Sequence, residues 1–293
     1  MKKLAVLFIV VICLSCTSDS VNSATDVIMT GYKIETSTTP EYQTLYTGNL
    51  VNNKLFSETY EFFHNGTLQT QTTEQKYFYN TDGTLNHYKK TVGNIELTTN
   101  LYYDGNANLI GAKLFSDDNL VGLNFRFIHY SDTVIYYERI GEYAYDDPNA
   151  VATLQCVLQL DGNDNIISAG RDSDFDGVPE QVNTFQYTGD NLTSIAFSDG
   201  NVTNFNYSNI IDNFLYLWKN SIGKKNSNIL GGENYIVPGF SEFVFHNLAA
   251  SKNLLLEDAN AATYQVLPNN FYELKTEIHD GTTTTTQFFF QEI

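Results

Sequence analysis

Tyr77-Phe78-Tyr79-Asn80-Thr81-Asp82-Gly83-Thr84-Leu85 decides the fold class. Tyr77 and Tyr79 stand two apart, and residues two apart share one face of a strand. Asn80 to Gly83 carry the residue types that accept the left-handed backbone of a tight reversal. Leu85 then resumes the alternation on a returning strand. The nonapeptide reads as one β-hairpin with its aromatic pair on one face. A hairpin of this kind cannot bury that face alone and must stack on its neighbours.

The layout recurs. It is present in Tyr60-Glu61-Phe62 with His64-Asn65-Gly66-Thr67-Leu68, and in Tyr143-Ala144-Tyr145-Asp146-Asp147-Pro148-Asn149-Ala150-Val151. Leu101-Tyr102-Tyr103-Asp104 ending in Leu109 repeats it with Ala107 in the glycine slot. Leu158-Gln159-Leu160-Asp161 ending in Ile166 does so with Asp164 there. Phe185-Gln186-Tyr187 with Gly189-Asp190-Asn191-Leu192 is one residue shorter, and Phe127 marks a weaker copy. The apolar spacing is that of strands, which excludes helical repeats. The expected fold is all-β: an antiparallel meander of hairpin repeats forming a curled or barrel-like sheet, with one or two short helices near the C-terminus. Those helices fall at Ile210 to Trp218 and at Pro238 to Ala250, where Phe240, Phe243, Val244 and Leu248 lie. They either plug an open end of the sheet or line a ligand mouth containing Trp218. Thr282 to Phe290 reads as a closing strand, whose run Phe288-Phe289-Phe290 must be paired, because an exposed edge of that kind aggregates.

Composition sets limits on function. The 293 residues carry 34 acidic side chains against 16 Lys and Arg, a formal charge of −18. A nucleic-acid partner is thereby excluded, since it demands a cationic footprint. At 42% hydrophobic and 17% charged, the chain can build a core and is not a disordered polymer. The aromatic content is high, with 20 Tyr, 20 Phe and 1 Trp.

Lys2-Lys3, the apolar run Leu4 to Leu14 and Ser15-Cys16 have the order of a cleavable secretory signal. The apolar run is too short to span a bilayer, which takes roughly 20 residues. Leu14-Ser15-Cys16 resembles the lipobox of bacterial lipoproteins, with Cys13 where Leu or Val is usual. The resemblance implies acylation of Cys16, several chains giving stable anchoring. Thr17 rather than Asp after the cysteine implies delivery to the outer membrane, on its periplasmic or cell-surface side. Residues 1–15 are then the signal peptide, 16–30 a flexible tether that includes the polar run Thr17 to Asp26, and 31–293 a single β domain. Loss of Lys2 and Lys3 with the signal takes the formal charge from −18 to −20. Cys13 leaves and Cys16 carries lipid, so Cys156 has no disulfide partner and reads as a core residue of a half-buried strand.

The Tyr-x-Tyr-(Asp/Asn)-x-x-Gly-x-Leu unit is similar to the YD repeat of Rhs-type proteins. Together with the lipobox, the chain resembles uncharacterised YD-like repeat lipoproteins of the Bacteroidetes, as does Asn247-Leu248-Ala249-Ala250-Ser251-Lys252-Asn253-Leu254. The resemblance covers roughly Tyr60 to Ile293. It implies a long antiparallel meander curled like a porin wall, with no assigned activity.

One chemical motif stands out, Asp172-Ser173-Asp174-Phe175-Asp176-Gly177-Val178-Pro179-Glu180. Asp172, Asp174 and Asp176 alternate as in the first part of an EF-hand-type calcium loop, with Gly177 at the turn. In that pattern the Val178 carbonyl and Glu180 complete the oxygen set. It also resembles the acidic loops of thrombospondin type 3 repeats. Asn183 stands where a bidentate Glu is required, so any Ca²⁺ is expected to bind weakly, at roughly 10⁻⁴ to 10⁻³ M. The alternative is an Asp-rich turn with solvated carboxylates. His64, His87, His129, His246 and His279 form no pair at metal-ligand spacing, and no nucleophile elbow or phosphate loop is present. The sequence reads as a non-catalytic surface binding or structural module with a glycan or surface protein as partner. Alternatives are a glycan-binding protein of a polysaccharide-uptake system and a carbohydrate-active hydrolase using a carboxylate pair.

Overall fold

The computed structural model describes residues 27–39, 41–69, 73–116, 119–230, 251–255 and 262–292. The chain opens with β1 (Val27–Thr39), β2 (Tyr42–Val51), β3 (Lys54–His64), β4 (Thr67–Leu68), β5 (Thr73–Tyr79), β6 (Leu85–Val92), β7 (Ile95–Tyr103) and β8 (Leu109–Ser116). It continues through β9 (Asn119–His129), β10 (Val134–Gly141), β11 (Leu154–Leu160), β12 (Ile166–Asp172), β13 (Gln181–Thr188), β14 (Asn191–Ala196), β15 (Val202–Asn204) and β16 (Tyr207–Ile211). Helices α1 (Asn213–Ile222) and α2 (Lys224–Leu230) follow, then β17 (Asn253–Leu255), β18 (Ala262–Val266), β19 (Tyr272–His279) and β20 (Thr282–Glu292). The expected signal peptide, the expected lipidation site Cys16 and the helix expected at Pro238 to Ala250 lie outside the described residues. Val27 to Thr30, expected in the tether, already belong to β1.

Among the described residues every strand pairing is antiparallel, and 18 strands form one sheet while β16 and β17 form a second. Across the large sheet the order is β18, β19, β20, β1, β2, β3, β5 and then onward in sequence to β15. The short β4 lies against the end of β3, in line with β5. The meander is therefore extended backwards at its N-terminal edge, where β20 pairs with both β1 and β19. Phe288, Phe289 and Phe290 sit opposite Tyr32, Gly31 and Met29, so the Phe run is paired as expected. Among the described residues the sheet is not closed, and β15 and β18 are its edges.

The sheet is strongly curled, as the reach of the helices requires. Asn213 at the start of α1 donates to the Tyr272 carbonyl of β19 (2.7 Å), and Asn228 of α2 donates to the Asp164 carbonyl between β11 and β12 (2.6 Å). Laid flat, β19 and β12 would stand roughly 58 Å apart at about 4.8 Å per strand. Fifteen residues of helix span only about 23 Å. The sheet must bend around the helices, which plug one end of it.

That end is where the repeat turns lie. In four of the units the returning residue sits at a β-bulge, where the register jumps: Tyr79 faces Leu85, Tyr103 faces Leu109, Leu160 faces Ile166 and Tyr187 faces Leu192. A bulge interrupts the ladder and leaves backbone groups to be satisfied elsewhere. The Leu85 carbonyl accepts from the Tyr103 hydroxyl (2.9 Å), that of Leu55 from Tyr79 (2.7 Å), and that of Ile166 from Tyr187 (3.0 Å). His129 Nε2 does the same for Leu109 at 2.8 Å. The second aromatic of a unit is thus stitched to the preceding hairpin. The plug satisfies bulge N–H groups: Ser221 Oγ accepts from Leu55 (2.9 Å), Asn226 Oδ1 from Leu109 (3.1 Å) and Ser251 Oγ from Leu192 (3.2 Å). Burial pushes the Tyr79 hydroxyl up to about 12.

Tyr103→Phe keeps the ring and removes only the donor. It is expected to lower the unfolding free energy by about 1–2 kcal/mol, the cost of an orphaned buried carbonyl. Urea denaturation measures this, and an unchanged midpoint would show that the Leu85 carbonyl does not depend on the hydroxyl.

Two expectations are corrected. Tyr143-Ala144-Tyr145 is not a strand: the ladder stops at Gly141 and resumes at Leu154, and the intervening segment turns twice around Pro148. Tyr145 instead stacks on Tyr102 at 4.3 Å. The helix expected from Ile210 begins at Asn213, because Asp212 Oδ1 caps it by accepting from Phe214 and Leu215 while Ile210 and Ile211 pair in β16. Cys156 is 1% exposed in β11, as its alternation predicts.

Candidate metal centre and neighbouring aromatics

The acidic loop joins β12 to β13. Its first residue belongs to the sheet: Asp172 is the last residue of β12 and pairs with Gln155, which in turn faces Glu138 and then Arg126. Glu138 is held by Arg126 at 2.6 Å and by Gln155 at 2.7 Å. Asp172 therefore ends a cross-strand polar row and is only 1% exposed. One of its oxygens, Oδ2, accepts from Gly177 N–H at 2.7 Å, while Oδ1 is buried without a hydrogen-bond partner. A buried carboxylate oxygen left this way is costly unless a cation meets it.

Carboxylate oxygens of Asp172, Asp174 and Asp176 lie within 4.8 Å of one another. The alternation that puts them there is maintained by short bonds, Asp176 N–H to Asp174 Oδ1 at 3.3 Å and Val178 N–H to Asp176 Oδ1 at 2.8 Å. Gly177 has φ +88°, and a Cβ there would stand 3.1 Å from the Tyr136 hydroxyl, so glycine suits the position on both counts. The Asp176 N–H bond acts to lower the Asp174 carboxyl, yet desolvation and the charges of Asp176, Glu180 and Asp172 outweigh it and the group is raised. Crowded carboxylates of this sort favour an oxygen-seeking cation.

Glu180 is placed differently from the sequence expectation. Its oxygens accept the Ser173 N–H at 2.9 and 3.2 Å, which lowers its carboxyl, and its own N–H donates to Arg171 O at 3.0 Å. Pairing of Arg171 with Gln181 sets Glu180 beside Ser173, so it clasps the base of the loop and is not among the converging acids. Val178 is 66% exposed. Trp218 lies inside the plug, half-buried and edge-on to Tyr77 at 6.5 Å, apart from the acidic loop. What the sequence did not reveal is an aromatic pair next to the loop: Tyr130, 73% exposed, stacks on Tyr136 at 5.8 Å.

Calcium at about 10 mM is expected to stabilise the protein by about 1.4 kcal/mol if the dissociation constant is near 10⁻³ M. The melting temperature should rise by a few degrees relative to chelator, and Asp174→Ala should abolish the rise. An identical melt in calcium and in chelator rules the ion out.

Fold and site together define a class: an open, curled antiparallel wall of aromatic hairpins with a helical plug and an acidic loop on one connection. No protein family matches the sequence, and no curated protein does. Among solved structures, the chain is similar to a porin-like protein from Bacteroides uniformis at 10% identity and TM-score 0.30, covering 90% of this chain and 96% of that one. It is also similar to TcdB2-TccC3 without its hypervariable C-terminal region, at 17% identity and TM-score 0.29, covering 82% of this chain and 14% of that one. At these TM-scores neither likeness bears on function.

Proposed function

We propose that the protein is a non-catalytic structural or binding module, moored to the outer membrane through a lipidated Cys16 and stiffened by calcium between β12 and β13. The observation that carries this reading is where the repeat spends its aromatics. Tyr77, Phe125, Phe127, Tyr137, Phe185, Tyr272 and Phe288 are buried in one core, and the hydroxyls of Tyr79, Tyr103 and Tyr187 are consumed by bulge carbonyls. Groups used this way build a wall and do not contact a ligand. The lipobox resemblance and the apolar run before Cys16 support the anchor.

Metabolic labelling with a radioactive fatty acid tests the anchoring. The wild-type protein should take up label and sediment with outer membranes, while Cys16→Ser should do neither. A wild-type protein that stays unlabelled and soluble overturns the proposal.

A second reading, glycan binding, is favoured by the exposed Tyr130 stacked on Tyr136 beside the acidic loop. Under that reading Tyr130→Ala removes retention on a polysaccharide column without altering the melt.

A further inference from the structure

The chain has 16 basic residues against 34 acidic ones, yet Lys219, Lys224 and Lys252 line one cavity of about 240 Å³. It is built from separate parts of the fold: Asp190 from the β13–β14 turn, Ile211 from β16, Tyr216 and Lys219 from α1, Lys224 from α2, and Lys252 from the lead into β17. Here the small β16–β17 sheet is tied to both ends of the wall. Asn191 Oδ1 accepts from the N–H groups of Lys252 and Asn253 (2.9 Å each), and Ile211 N–H donates to Asn270 O at 2.8 Å, so β16 and β17 bridge the seam.

We propose that this cavity binds a tetrahedral oxyanion, a phosphate or sulfate group, free or carried on a small organic body. Asp190 is the carboxylate among the lining residues, which leaves the lysines in excess within a protein of formal charge −18. Lys219 donates to Ser251 O at 2.7 Å, which fixes its ammonium at the cavity, and Lys224 stands 3.5 Å from Asp190. Those contacts explain where two of the lysines are held. They do not explain why like charges converge. Burial first, and then Lys224 and Lys252 against the opposing pull of Asp190 and Asp212, brings the Lys219 ammonium down to about 8. An anion would relieve that repulsion and keep the ammonium protonated to higher pH. Lysine ammoniums are compact point charges that suit a non-planar oxyanion, whereas a planar carboxylate is better met by an arginine fork. Tyr216 and Ile211 give the cavity apolar walls for a body attached to the anion.

The test is calorimetric titration of the full chain with inorganic phosphate, glucose 6-phosphate and glucose 6-sulfate, with acetylation of Lys219 read by mass spectrometry. Saturable binding is expected, with Lys219 protected from acetic anhydride when the anion is bound. Lys224→Gln and Lys252→Gln should each weaken binding about tenfold while leaving the circular dichroism unchanged. Tighter binding of the esters than of phosphate would identify an organic ester as the source, and equal binding the free ion. No saturable heat with any of the three, unprotected Lys219, or full affinity in both variants overturns the site. The result is independent of the lipid anchor and of the calcium loop.

Discussion

Glu58→Ala is expected to lower the unfolding free energy by about 3–5 kcal/mol. Glu58 is 8% exposed in β3, and its carboxylate accepts from the Tyr32 hydroxyl through Oε1 and from the Tyr77 hydroxyl through Oε2, the latter at 2.5 Å. Gln75 Nε2 donates to Tyr77 Oη at 2.8 Å, extending the network within β5. Burial first, then the Glu58 charge, pushes both tyrosines well above the usual phenol range, so they act here as donors at any ordinary pH. Truncation leaves two interior hydroxyls without their acceptor and opens a void between β1, β3 and β5. Urea denaturation measures the loss. A double-mutant cycle sharpens it: Tyr77→Phe should cost clearly less in the Glu58→Ala background than in the wild type. A loss below about 1 kcal/mol, or simple additivity, would mean the network does not hold these strands together.

Gly48→Ala should destabilise almost as much, by about 3 kcal/mol. Tyr32 pairs with Gly48, and Gly48 pairs with Glu58, so the Tyr32 ring crosses the whole of β2 to reach its acceptor. A Cβ on Gly48 would stand 2.2 Å from that ring. The ring has little freedom to yield. It is 1% exposed and packed by Phe288 at 5.5 Å and Phe214 at 5.1 Å. Either the Glu58 bond breaks or α1 lifts from the wall. Thermal melts would report the change, and a variant as stable as the wild type would show that β2 shifts freely.

Much of this architecture is legible in the one-dimensional pattern. Aromatic or aliphatic pairs two apart before an Asx-containing turn give strands and reversals in most of the units, and the αL sites fall as the pattern places them, at Gly83, Ala107 and Asp164. The unit at Tyr143 failed because two acidic residues and Pro148 make turns but cannot extend a ladder. Hairpins at Phe197 to Val202 and Leu267 to Phe271 went unread, since they lack the aromatic pair although they turn in the same manner, and so did the two-residue Asn52-Asn53 turn between β2 and β3. For the acidic loop, alternation predicted the convergence of Asp172, Asp174 and Asp176. It did not predict the fate of Glu180, which depends on how β12 and β13 register.

By itself the sequence determined what is local: period-two alternation, left-handed turn sites and the spacing of acids in the loop. These follow from backbone sterics within a few residues. Only the tertiary structure decided which strands meet, that β20 returns to β1, that Tyr32 reaches Glu58 over Gly48, and that lysines from α1, α2 and the lead into β17 share a cavity. Each of those joins residues far apart in the chain. Curling and packing of the whole wall select such contacts, and no short stretch of sequence encodes them.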